Sequence, residues 1–255
     1  MTTYTTPKPN GTPTWIDLMS NDIEGARKFY HALFGWEYDI GGPEFGGYTT
    51  ARLGQRTVAG MSNPMPGAPA MPSQWGVFFA SQDVQADSAR AVELGAQIVS
   101  PAMTVGPFGS MAVCADPSGA VFSLWQAGQH IGFEVTDEPG APTWYELYSS
   151  DAKQSRDYFT ALLGATASSP GAPDYYLLSR GSQMLCGIMQ IDPSWGGFQP
   201  QWGVYFQVAD AKETAAIATM NGGRLFGQVV ESPYGIVASL ADPSGATFKV
   251  RQMPG

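Results

Sequence analysis

Apolar and polar positions along this chain follow two periods that alternate in a fixed order. Residues 14–19, TWIDLM, alternate as a strand does, with every second side chain on one face. Asp22 then opens a helix, in which Ala26, Phe29, Tyr30, Leu33 and Phe34 recur at i, i+3, i+4, i+7 and i+8 as one apolar face. Gly35 ends it, because glycine takes the left-handed position after a helix at little cost. Short strands are predicted over 36–40, 47–53 and 57–62, separated by Gly-rich turns. The order restarts at 74–80, with a helix from about Asp83 to Leu94 stopped by Gly95 and strands near 97–99, 108–115 and 120–126. Residues 63–73, NPMPGAPAMPS, carry too much proline for a helix or a central strand.

The second half of the chain repeats the first. PTWIDLMSND (13–22) returns as PTWYELYSSD (142–151), and QWGVFFA (74–80) as QWGVYFQ (201–207). GPFGSMAVCADPSGAVFSLWQ (106–126) returns as SPYGIVASLADPSGATFKVRQ (232–252). Such matched order and spacing mark a duplication. Each half divides again, so the chain reads strand–helix–strand–strand–strand four times. The organisation predicted is an N-terminal arm (1–12), a first domain (13–127, units 13–62 and 74–127), a linker (128–140) and a second domain (141–255, units 141–192 and 201–253). In the repeated DPSG turn, of type I or II, Pro presets φ and Gly permits a positive one.

Composition narrows the function. The chain has 255 residues, of which 44% are hydrophobic and 14% charged, enough apolar material for sizeable cores. A formal net charge of −9 argues against nucleic acid as a partner, since no Lys/Arg cluster is available to displace counterions from phosphates. No stretch resembles a membrane span, and Met1–Thr12 lacks the basic start and apolar run of a secretory signal, so a cytoplasmic location is expected. Cys114 and Cys186 lie in apolar runs and read as small buried hydrophobes; a disulfide or a reactive thiol is the alternative. There is no G-x-S-x-G elbow, no His placed to activate a Ser or Cys, and no Gly-rich turn of dinucleotide or P-loop spacing.

The fourfold order, the helix ending FYHALFGW and the DPSG turn before the last strand of the second and fourth units resemble the vicinal-oxygen-chelate superfamily of glyoxalases, bleomycin-resistance proteins and extradiol dioxygenases. The resemblance covers nearly the whole chain. It implies an α+β fold of tandem domains, four βαβββ units whose cupped mixed sheets surround a small ligand. It also implies metal ligands at set places: one seven residues before the helix-opening Asp, another seven after the Asp of the DPSG turn. Counting there gives Trp15 and Ser123 in the first half and Trp144 and Lys249 in the second, while the restart strands offer Gly76 and Gly203. None is a normal ligand in such a site: an indole N–H only donates, and an ammonium repels a cation. The chain has two histidines, His31 within the first helix and His130 in the linker, so no metal and no other cofactor is expected.

Alternation assigns the cup faces. If Trp15 faces inward, so do Asp17 and Met19; likewise Trp144, Glu146 and Tyr148. Ser123 shares a face with Trp125, Gly76 with Phe78, Gly203 with Tyr205, and Lys249 with Arg251. Each cup would then offer an aromatic wall beside one carboxylate, suited to a planar aromatic ligand with hydroxyl or amine groups. Packing of these Trp residues in the core is the plainer alternative. Methionines 61, 65, 71, 103 and 111 are candidates for a pliable hydrophobic surface, or for core filling. Phe108 and Tyr234, at matching turns, are candidate lids, or rings tucked into plain turns.

The two-domain type resembles actinobacterial proteins encoded beside antibiotic pathways and is similar in kind to accessory proteins of daunorubicin and doxorubicin biosynthesis. That resemblance implies a binder of an aromatic polyketide or glycosylated anthracycline, for self-resistance or for late tailoring with a cytochrome P450 or another tailoring enzyme as partner. The reading favours a ligand-binding accessory protein over a metalloenzyme. A cofactor-independent isomerase, cyclase or lyase with Asp17 or Glu146 as general acid or base is the alternative. A protein–protein adaptor is a third reading, resting on Pro- and Met-rich loops.

Overall fold

The computed structural model describes residues 1–64, 72–171 and 174–254; Met65 and Met71 of the predicted surface lie outside them. Along the first half run strands β1 (Thr2–Thr3) and β2 (Pro13–Met19), helix α1 (Ile23–Phe34), β3 (Glu37–Ile40), β4 (Thr49–Leu53), β5 (Arg56–Ser62) and β6 (Gln74–Ala80). Then follow α2 (Val84–Glu93), β7 (Gln97–Val105), β8 (Gly109–Ala115) and β9 (Val121–Ala127). The second half begins after β10 (Val135–Thr136), with β11 (Pro142–Ser149), α3 (Ala152–Leu163), β12 (Thr166–Ser168), β13 (Tyr175–Arg180) and β14 (Gln183–Gln190). It ends with β15 (Gln201–Val208), α4 (Ala211–Met220), β16 (Arg224–Ser232), β17 (Gly235–Ala241) and β18 (Thr247–Gln252).

Four aspartates start the four helices. Asp22, Asp83, Asp151 and Asp210 each stand at the N-cap and accept from backbone N–H groups of the first turn, satisfying donors the helix itself leaves open. Gly35 and Gly164 end α1 and α3 in the left-handed conformation.

Each half forms one eight-stranded mixed sheet, in the order β3-β4-β5-β2-β6-β9-β8-β7 and β12-β13-β14-β11-β15-β18-β17-β16. The two units of a half meet along an antiparallel seam, β2–β6 or β11–β15. Parallel pairs β2–β5 and β6–β9, or β11–β14 and β15–β18, close each unit. This is the α+β architecture of four βαβββ units that the repeats imply.

Two elements differ from the sequence reading. Strand β7 runs to Val105 rather than stopping near 99, passing through Pro101 with two register shifts. It is an edge strand, where a missing N–H breaks no ladder. The N-terminal arm, for which no strand is predicted, is pinned as well: Thr2 and Thr3 pair with Thr136 and Val135 of the linker, and Arg180 donates to the carbonyls of Asn10 and Leu163.

The two sheets pack on one another directly at β6 and β15, flanked by contacts of α1 with α4 and of α2 with α3. Ile16, Leu18 and Val77 of one sheet and Leu147, Val204 and Phe206 of the other are fully buried there. Aromatic rings from both halves mesh twice. Phe34 and Trp75 lie 4.9 and 5.3 Å from Phe206, while Phe79 lies 5.3 Å from Trp202 and 6.1 Å from Phe159. Each DPSG aspartate accepts its own turn's N–H groups and faces a helix of the other half: Asp242 takes a bond from Tyr30, and Asp116 from Ser155. No helix among the described residues is long and apolar enough to cross a membrane. The two cysteines are free, buried thiols.

Candidate functional site

With the helices on the convex side, the alternate strand residues face outward into two cups. Register fixes the faces: Trp15 stands beside Phe78, and Phe78 beside Ser123, while Trp144 stands beside Tyr205, and Tyr205 beside Lys249. The carboxylate of each PTW motif lies between two glycines, Asp17 between Gly60 and Gly76, and Glu146 between Gly187 and Gly203. Those glycines make room for a tyrosine. The hydroxyl of Tyr48 accepts the indole N–H of Trp15 at 2.9 Å, and Tyr175 lies in the same relation to Trp144.

From this shared floor the cups diverge. In the first, the Trp15 face is covered by the linker: His130 meets it edge-on at 4.3 Å, and Trp125 donates its N–H to the His130 carbonyl. Phe108 packs edge-on against Phe45, 5.3 Å away. Phe78, Ser123 and Trp125 are buried. Asp17 is half-buried with no hydrogen-bond partner among the described residues, and burial lifts its carboxyl to about 7. Burial lowers His130 to about 4, so its ring is neutral near pH 7.

In the second cup a cavity of about 770 Å³ opens beside Trp144. Trp144 is half-exposed, and with Leu177, Met184, Met189 and Tyr234 it forms the apolar wall. The floor is a saturated carboxylate. Glu146 accepts from Tyr205 at 2.6 Å, Tyr175 at 3.0 Å and Lys249 at 3.4 Å, and Lys249 also donates to Tyr205 at 2.8 Å. The Lys249 ammonium lies 5.1 Å from the centre of the Tyr148 ring, which Trp195 and Phe198 cover from the side. Arg251 lines the cavity and donates to Thr143.

Of the residues expected to bind ligand, Trp144, Glu146, Tyr205, Tyr234 and Arg251 line one cavity, with Tyr148 and Lys249 behind them. Trp15, Asp17, Phe78, Phe108, Ser123 and Trp125 gather in the first cup. Met61 does not belong with them: it pairs in register with Leu18 on the core face and is fully buried. Met103 is exposed on the edge strand β7, and Met111 packs at the core margin. The cavity's methionines are instead Met184 and Met189 of the second half. Sequence reasoning also missed the contribution of the arm and linker, because Tyr4, Lys8 and Asp137 reach the cavity through long-range contacts with no local pattern. Tyr175 was discoverable, as it occupies the position that Tyr48 holds in the first half.

The donor set does not fit a divalent cation. Trp15, Gly76 and Ser123, or Trp144, Gly203 and Lys249, supply no chelating group, and among the described residues no three His, Cys, Asp or Glu side chains converge.

Residues 12–124 match the model of the Glyoxalase/Bleomycin resistance protein/Dioxygenase superfamily. A protein of Mycobacterium tuberculosis (strain CDC 1551 / Oshkosh), provisionally named glyoxylase CFP32, is 38% identical over 94% of each chain. The anthracycline biosynthesis protein DnrV of Streptomyces peucetius is 33% identical over 95% of this chain and 94% of its own. Among solved structures, the Mn(II)-bound glyoxalase from Novosphingobium aromaticivorans superposes with a TM-score of 0.68 at 13% identity, covering 95% of this chain and 82% of that one. That likeness speaks for the fold alone. With sequence relatives spanning nearly its full length, the chain belongs to the glyoxalase, bleomycin-resistance and dioxygenase superfamily.

Proposed function

We propose that this chain is a small-molecule-binding protein of aromatic polyketide biosynthesis or self-resistance, working without a metal. It holds a planar, anthracycline-like ligand in the second cup and presents it for late oxidative tailoring by a cytochrome P450 or comparable enzyme. One observation carries the reading: a cavity of about 770 Å³ has a half-exposed tryptophan as its wall and a floor whose carboxylate is already neutralised. That volume is in the range of small-molecule sites, about 300–1,000 Å³. Such a surface gains affinity by stacking and desolvation rather than by ion coordination. Its relatives include proteins named for anthracycline biosynthesis, DnrV and DauV.

Titration of an anthracyclinone into the protein, followed by tryptophan fluorescence and by heat, tests it. Quenching with saturable binding is expected, and Trp144→Ala should weaken it about tenfold, as loss of one aromatic stacking partner does. Absence of both signals across a panel of aromatic polyketides would end the reading.

One observation favours a second reading, a cofactor-independent isomerase, cyclase or lyase. Among the described residues Asp17 has no hydrogen-bond partner, and burial pushes its carboxyl up to about 7, where a general base works best. Glu146, held by three donors, is poorly placed for that work. Turnover of an activated polyketide that Asp17→Asn leaves intact would eliminate this alternative.

A further inference from the structure

The cavity's polar atoms are unevenly satisfied. Its carboxylates are full: Glu146 has three donors, and Asp137 accepts from the hydroxyls of Thr2, Thr136 and Thr143. Three groups are left over among the described residues: Arg251 Nε, which can only donate, and the hydroxyls of Tyr145 and Thr12, which can donate or accept; all three are buried without a partner, and their residues line the cavity. Buried polar groups nearly always have partners, so three on one cavity wall need a reason. Arg251 is a cation of this cavity, and Lys8, which burial lowers to about 7 against the opposing pull of Asp137, becomes one when a bound anion holds its proton. Among the described residues neither Lys8 nor Arg251 forms an ion pair, although the chain as a whole carries nine excess negative charges. Lys8 is brought there by the arm, where its ammonium donates to the Pro13 carbonyl at 3.1 Å and lies 4.1 Å from the Tyr4 ring centre.

From these observations, and resting on the aromatic-ligand reading above, we infer that the second cup takes a planar aromatic ligand bearing a carboxylate, whose oxygens are received by Arg251 and by Lys8 of the N-terminal arm. An anion fits where a cation does not. The carboxylate oxygens are taken up by internal hydroxyls and Lys249, whereas an unpartnered Arg251 N–H and the Lys8 ammonium line the same cavity. An ammonium-bearing ligand would meet Arg251, while the oxygens of Glu146 and Asp137 that could receive it already hold other donors. The arm is therefore part of the site, and its pairing of Thr2–Thr3 with β10 sets where Lys8 stands.

Calorimetry of the full chain with anthraquinone-2-carboxylate, its methyl ester and 2-(aminomethyl)anthraquinone tests the inference. The acid is expected to bind at least tenfold more tightly than the ester, and the amine most weakly. Lys8→Met and Arg251→Gln should each weaken the acid about tenfold and narrow its advantage over the ester, whereas Lys8→Arg should keep the preference. The wild-type comparison needs no variant, so a substitution that fails to fold does not protect the idea. Equal affinities for acid and ester, or tighter binding of the amine, overturn the carboxylate assignment while the aromatic reading survives. Failure of all three to bind overturns both.

Discussion

Asp17 and Glu146 come from the same repeated motif and lie between the same pair of glycines, yet they meet different neighbours. Tyr205 and Lys249 satisfy Glu146; at the corresponding places Asp17 has Phe78 and Ser123. Burial alone raises the Asp17 carboxyl from 3.8 to about 7. An acid whose folded pKa lies above its unfolded one holds its proton more tightly in the fold. Its contribution to stability is therefore fully present below about pH 4 and is lost as pH rises through about 7, because ionising the buried group costs free energy. The full shift sets an upper figure of about 4 kcal/mol, and the partial solvent contact of Asp17 reduces this to about 1–3 kcal/mol. Asp17→Asn should accordingly stabilise the protein by about that amount at pH 8 and change little at pH 4, measured by denaturant unfolding at each pH. A variant whose unfolding keeps the parent's pH dependence would show that this carboxyl titrates normally.

At the scale of elements, the cup floor depends on strand glycines as much as on the motif they flank. A Cβ added at Gly187 would lie 2.3 Å from the Tyr175 hydroxyl and 3.4 Å from a Glu146 oxygen. Gly187→Ala should force Tyr175 away from Glu146 and cost about 1–3 kcal/mol, combining overpacking with a lost buried hydrogen bond. In a Tyr175→Ala background the same change should cost almost nothing; an undiminished cost would place the strain in the strand itself. The helices and most strands were legible because their signals are local: a capping Asp, a periodic face, a closing Gly. Face assignment within β2 and β11 was legible for the same reason. The face of Met61 was not, since it depends on how β5 registers against β2, which no local pattern states. Nor could local pattern tell which cup is open. The cover over Trp15 comes from His130, and the second cavity takes in an arm whose two-residue ladder spans more than a hundred residues of sequence.

The molecule as a whole is held together through its convex backs, and the duplication makes that interface nearly symmetric. Phe206 of the second half enters the cluster of Phe34, Trp36 and Trp75, while Phe79 of the first half enters that of Phe159 and Trp202. Both inserted rings are fully buried, and each contributes area burial plus about 0.5–1.5 kcal/mol per aromatic pair. Each half thus completes its core with a ring from the other, so neither unfolds without exposing its partner's largest side chains. Phe206→Ala removes one such ring and should cost about 3–5 kcal/mol, the usual range for emptying a buried phenylalanine site. Because the lost contacts belong to both halves, the loss should appear as one cooperative transition moved to lower temperature. Phe79→Ala should behave alike. Calorimetric scanning distinguishes the alternatives: a profile that splits into two peaks, one unmoved from the parent, would mean that the halves stand alone and that their shared aromatic seam is dispensable.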